Sequence, residues 1–151
     1  MWRRVLIVDD DRDTREMYAE SLRSMGFDPK TAASAEEGLR LAIDTKPAVM
    51  VTDLRFTGSI DGIELIRRLR EDRRTSGVRT ILLTGAAMGH DRDRAEASGC
   101  DRLLVKPCLP EALASEIRRL AISRFSPGRD GGNLHASPDL RRQPGSDRRK
   151  V

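Results

Sequence analysis

Five short apolar runs alternate with five stretches of helical period, and that alternation leaves few folds open to the chain. Val5-Leu6-Ile7-Val8 is a continuous apolar run of the kind buried on both faces of a parallel sheet. Arg12 to Met25 then keeps a helical period, with Thr14, Tyr18, Leu22 and Met25 on one stripe and Gly26 as the stop. A weaker strand follows at about Asp28 to Ala32. Ser34-Ala35-Glu36-Glu37 opens a helix as a capping box, and that helix runs to about Thr45, just before Pro47. Ala48 to Thr52 is a third strand that ends directly on Asp53. A loop, Leu54 to Asp61, leads into a helix from Gly62 to about Glu71, with Ile63, Ile66 and Leu69 inward. Thr80 to Thr84 is the fourth strand. His90 to Ser98 reads as a polar, weakly amphipathic helix, and Leu103-Leu104-Val105 as the fifth strand, running into Lys106-Pro107. The last helix starts near Pro110, with Leu113, Ile117 and Leu120 on one stripe.

This is a (βα)5 pattern, which predicts an α/β fold: a doubly wound parallel sheet with helices on both faces and right-handed crossovers. Ligands of such sheets sit at the carboxyl ends of the strands, near the topological switch point. With 151 residues, 38% hydrophobic and 34% charged, the chain is one domain's worth with a generous polar surface. No apolar run approaches the roughly 20 residues that span a bilayer. The amino terminus reads as a first strand and not as a signal peptide, so the expectation is a cytoplasmic protein without a membrane role.

From about Phe125 the pattern stops. Residues 125–151 are rich in Pro, Gly and Arg and nearly devoid of apolar residues, so they read as a disordered basic tail beyond a domain at 1–124. The net charge of +4 divides accordingly. Six Lys/Arg against three Asp give the tail +3, leaving +1 for residues 1–124. A balanced charge argues against nucleic-acid binding by the folded part. The tail's Arg141, Arg142, Arg148, Arg149 and Lys150 could instead hold nucleic acid or another anionic partner, although a solvated charged tail accounts for them as well. Cys100 and Cys108 flank the fifth strand, roughly 20 Å apart if it is extended, which is beyond disulfide reach. With no CxxC or Cys/His cluster, both read as reduced thiols.

At the predicted carboxyl ends stand Asp9, Asp10 and Asp11 after the first strand, Asp53 after the third, Thr84 at the end of the fourth and Lys106 after the fifth. The fold would converge them into one pocket. At ~4 Å two like charges cost about 1 kcal/mol in water and more in a drier pocket, so clustered carboxylates either keep a proton or share a cation. An oxygen-only site at a shallow crevice suits Mg²⁺ better than a transition metal. A metal on Asp10 and Asp53, Lys106 opposite, and Thr84 as a donor would make a phosphoryl-transfer site with a carboxylate nucleophile. Asp11 and Asp13 need nothing beyond favouring a helix amino terminus.

These features together resemble the receiver domains of two-component response regulators: Asp9-Asp10, Asp53, Asp61-Gly62, Thr84 and Lys106-Pro107, in order and each near a strand's end, over about residues 3–122. The resemblance implies a flavodoxin-like sheet in strand order 2-1-3-4-5. It implies Asp53 as phosphoacceptor, Asp10 as a direct Mg²⁺ ligand, Asp9 acting through water, and the backbone carbonyl of Arg55 as a further ligand. Thr84 would be the switch hydroxyl and Lys106 the phosphate partner, with Pro107 where the family often has a cis bond. The implied partners are a histidine kinase or phosphotransfer protein and a downstream protein target. With no output domain in view, that target is expected to be another protein, or the kinase itself in a phosphorelay. The surface of the fourth helix, fifth strand and fifth helix is a candidate face for partners or a homodimer. The implied role is a signalling switch and not a metabolic enzyme.

Three departures from the family stand out. Leu103 replaces the usual aromatic three residues before the lysine, which removes the usual Tyr/Thr rotamer switch. The loop after Asp53 reads Phe56-Thr57-Gly58-Ser59-Ile60, longer by one and without the usual Met-Pro, so a looser course is expected. Arg55 and Ala86 occupy the variable positions that tune dephosphorylation. A phosphorylation-independent interaction scaffold is therefore the alternative reading. Two others fail on residues. Asp9, Asp11, Asp13 and Glu20 mimic an EF-hand loop, but Thr14 stands where its glycine belongs and a strand precedes it. Asp11-Arg12-Asp13-Thr14 mimics the nucleophile motif of haloacid-dehalogenase-type phosphatases but begins too late after its strand.

Overall fold

The computed structural model describes residues 3–58, 60–85 and 89–122, without the side chains of 89–91. The expectations for Ala86 and the 125–151 tail lie outside the described residues.

The elements alternate without exception: β1 (Arg3–Val8), α1 (Arg12–Ser24), β2 (Phe27–Ala32), α2 (Ala35–Thr45), β3 (Val49–Asp53), α3 (Gly62–Glu71), β4 (Arg79–Thr84), α4 (Gly89–Ala97), β5 (Arg102–Val105) and α5 (Pro110–Ile122). The five strands form one parallel sheet in the order β2-β1-β3-β4-β5. Continuous apolar strands are what a sheet covered on both sides requires. Val5 and Ile7 of β1 point to the side of α1 and α5, where they meet Tyr18, Leu22, Leu113 and Ile117. Leu6 and Val8 point the other way, into the layer of Ile63, Leu65, Ile66 and Leu69 from α3.

Helix starts follow local chemistry. Asp11 accepts from the Thr14 N–H, Ser34 from the Glu37 N–H and Asp61 from the Glu64 N–H, so α1, α2 and α3 each begin on a side-chain oxygen cap. The cap at Asp11 is the role the sequence assigned to it. Gly26, at φ +96°, ends the α1 connection in the left-handed region that glycine tolerates best.

Several boundaries differ by one residue from those expected. β4 begins at Arg79 and β5 at Arg102, because charged residues can start a strand when their side chains have partners. Arg79 lies 3.5 Å from Asp101, and Arg102 bonds Glu116 at 3.0 Å. Phe27 joins β2 because it pairs in register with Arg3. Pro29 sits in β2, an edge strand, where its missing N–H is tolerated. Cys100 and Cys108 are both free and pack on opposite faces of the sheet.

Candidate functional site

Strand register builds the site. Val8 pairs with Thr52, so the next residues along, Asp9 and Asp53, emerge side by side at the central pair of strands. Thr84 pairs with Val105, so Lys106 leaves β5 beside the end of β4. Carboxylate oxygens of Asp9, Asp10 and Asp53 all fall within 4.8 Å of one another. Lys106 Nζ reaches Asp53 Oδ1 at 2.7 Å, and the Lys106 N–H donates to the Thr84 carbonyl at 2.8 Å. Thr84 itself is buried.

Each carboxylate is held differently. Asp9 is buried and accepts from the Asp11 N–H at 2.9 Å, while its own carbonyl accepts from Arg15 Nη1 at 2.9 Å. Burial pushes the Asp9 carboxyl above the ordinary aspartate range. The Asp11 N–H pulls it down, the Asp53 charge pushes it up and Lys106 pulls it down. Asp10 accepts from the Thr57 N–H at 3.0 Å, which ties the loop after β3 to the end of β1. That loop lacks the proline expected to fix its course. Phe56 and Ile60 anchor it instead by packing on the α2–α3 side of the core. Gly62 follows the loop because nothing larger fits: a Cβ there would overlap the Asp53 carbonyl oxygen and press on Leu82.

The other expected positions fall around this centre. Arg55 is exposed on the loop directly beyond Leu54. The Lys106-Pro107 bond is cis. Leu103 pairs with Leu82 and packs half-buried against the α2–α3 side of the core, where it offers no hydroxyl. Two residues with roles here were not singled out from sequence. Arg15 grips the Asp9 carbonyl, and Tyr18, read only as a core stripe residue, donates to the Cys108 carbonyl at 2.6 Å. A tyrosine one turn before Leu22 on an inward stripe was the available signal, since a buried phenol needs a polar partner.

The model of the response regulator receiver domain matches residues 5–118. The chain belongs to that family. The receiver resembles the response regulator Rre1 of Synechocystis, 32% identical over 133 residues that cover 87% of this chain and 57% of that protein. It also resembles the DNA-binding dual master transcriptional regulator RpaA of Synechocystis, 31% identical over 117 residues, or 78% of this chain and 48% of that one. The receiver thus spans about half the length of the curated relatives it matches. Among solved structures, the chemotaxis response regulator CheY4 of Vibrio cholerae superposes with a TM-score of 0.73 at 27% identity, covering 80% of this chain and 99% of that one. A CheY-like receiver domain protein from Methanospirillum hungatei does so at 0.74 and 26%, covering 82% and 97%.

The donor set fits the Mg²⁺ site typical of receivers: it is oxygen-only, with three carboxylates against one ammonium, and its oxygens are gathered within 4.8 Å of one another. No helix among the described residues is long and apolar enough to cross a membrane.

Proposed function

We propose that this receiver is a phosphoacceptor switch that takes a phosphoryl group from the phosphohistidine of a kinase or phosphotransfer protein onto Asp53. The observation that carries the reading is the Lys106–Asp53 contact at 2.7 Å with Asp9 and Asp10 alongside. An Asp53 carboxylate oxygen attacks phosphorus in line, the P–N bond to the donor imidazole breaks, and the imidazole leaves with the electron pair and takes up a proton. Asp10, Asp53 and the Arg55 carbonyl, with Asp9 through water, would hold Mg²⁺, whose charge offsets that of the incoming phosphate. Lys106 would exchange its carboxylate partner for a phosphoryl oxygen, and the Thr84 hydroxyl would donate to another.

The output follows as a population shift of the α4–β5–α5 surface toward a partner-binding form. Val105 and Leu109, 55% and 67% exposed, give that surface an apolar contact area for a protein target or a second copy. A cytoplasmic setting with a cognate histidine kinase fits the family. Residues 1–124 are the proposed functional unit, with 125–151 as a basic extension.

The second reading, a phosphorylation-independent scaffold, draws on Leu103, whose aliphatic side chain cannot serve as a hydroxyl-bearing switch. Intact-protein mass after incubation with acetyl phosphate and Mg²⁺ separates the two. A single phosphoryl adduct that requires Mg²⁺ and is absent from Asp53→Asn is the expected result. No adduct, together with no beryllofluoride binding, would transfer the conclusion to the scaffold.

A further inference from the structure

Tyr18 is the chain's only tyrosine, and it lies mid-way along α1 with 4% of its surface exposed. Its ring packs among Ile7, Leu22, Leu113 and Ile117, which accounts for an aromatic but not for a hydroxyl. Phenylalanine would fill the same space without a polar group to satisfy. The hydroxyl donates to the Cys108 carbonyl at 2.6 Å, across ninety residues of sequence.

That carbonyl lies two residues beyond Lys106, in the four-residue connection between the end of β5 at Val105 and the start of α5 at Pro110. Pro107 has no N–H with which the connection could be tied to the sheet. On one side of Pro107, the Lys106 N–H is bonded to Thr84. On the other, the Tyr18 hydroxyl supplies the bond. Lys106 therefore projects its ammonium onto Asp53 from a backbone clamped on both sides. Burial holds the Tyr18 phenol above its ordinary range, so the donor keeps its proton at working pH.

We propose that Tyr18 is a positioning residue for phosphoryl transfer: its hydroxyl fixes the Cys108 carbonyl and, through it, the connection that places Lys106 on Asp53. The proposal rests on the phosphoacceptor reading of Asp53. It assigns a task to α1 beyond packing, and it predicts a coupling specific to Lys106. The carboxylates follow β1 and end β3, outside this connection.

The test is a double-mutant cycle on the full chain, following the rate of the Asp53 adduct with acetyl phosphate as donor. Tyr18→Phe keeps the ring and loses the bond. The maximal rate should fall about three- to tenfold, the scale of one lost hydrogen bond, while the Mg²⁺ midpoint moves less than about twofold. In a Lys106→Ala background the same substitution should change the rate less than about twofold, because the group it positions is gone. Beryllofluoride affinity, measured by calorimetry on the same four proteins, reads the cycle independently of turnover. Equal losses in both backgrounds, an unchanged rate, or a Mg²⁺ midpoint that shifts with the rate would overturn the proposal and leave Tyr18 a core residue. A wild type that acquires no phosphoryl group and binds no beryllofluoride would overturn the receiver reading and this proposal together. That outcome is recognised in the wild type before any Tyr18 variant is compared.

Discussion

A Cβ on Gly62 has nowhere to go, because the Asp53 carbonyl oxygen already occupies its place and the Gly62 N–H bonds the Leu54 carbonyl at 2.8 Å. Gly62→Ala must therefore move either the start of α3 or the strand end that carries Asp53. Overpacking of this kind costs about 1–3 kcal/mol. We expect a lowered urea midpoint with an unchanged slope, together with slower phosphorylation of Asp53. A variant as stable and as reactive as wild type would mean that the backbone yields without cost. Residues differ in how far sequence reveals such roles. Asp53 and Lys106 are legible because each directly follows an apolar strand. Gly62 is visible as half of an Asp-Gly pair, but its steric reason appears only when the loop closes over Asp53. The bonds of Tyr18 and Arg15 go to backbone carbonyls, which leave no residue-type signature. Asp101 was not singled out from sequence, and its role appears only where Arg70, 2.9 Å away, and Arg79 close on it from α3 and β4.

Elements are legible in proportion to the apolar surface they bury. α3, with Ile63, Leu65, Ile66 and Leu69 all buried, falls where the sequence places it. α4 sits at the other extreme. Within it Ala95 is the one buried residue among the described side chains, and Arg94 extends from it to Asp61 at 3.0 Å. Its expected span, His90 to Ser98, is displaced by one residue from the observed Gly89–Ala97, since a polar helix offers no stripe from which to read its ends. Little burial also means a small free-energy cost of local opening. In hydrogen exchange the amides of α4 should exchange at least about tenfold faster than those of α3, and beryllofluoride should narrow the gap if the α4–β5–α5 surface is what the switch moves. Equal protection of the two helices in the free protein would contradict this, and it would mean that contacts other than burial hold α4.

For the molecule as a whole, the doubly wound sheet joins two apolar layers to a rim where three carboxylates meet. The alternation of elements and the continuous apolar strands made that architecture legible, because covering both faces of a parallel sheet leaves little else to build. Which carboxylates converge was legible only through the strand order, since Asp9 and Asp53 become neighbours because β1 lies beside β3. The convergence stores repulsion in the metal-free protein. Asp9 carries the clearest mark of it, with burial and the Asp53 charge both opposing its ionisation. Asp9→Asn keeps an oxygen to accept the Asp11 N–H and removes one charge. Near neutral pH, in the presence of a chelator, that variant should be more stable than wild type by about 1 kcal/mol. Wild type should recover the difference on adding Mg²⁺, because a ligand at ten times its Kd stabilises by about 1.4 kcal/mol. The variant should gain much less. Thermal melts of both proteins, with Mg²⁺ and with chelator, decide the matter. If Asp9→Asn melts lower in both conditions, the carboxylate is holding the turn into α1 and not a cation, and the metal-site reading must rest on Asp10 and Asp53 alone.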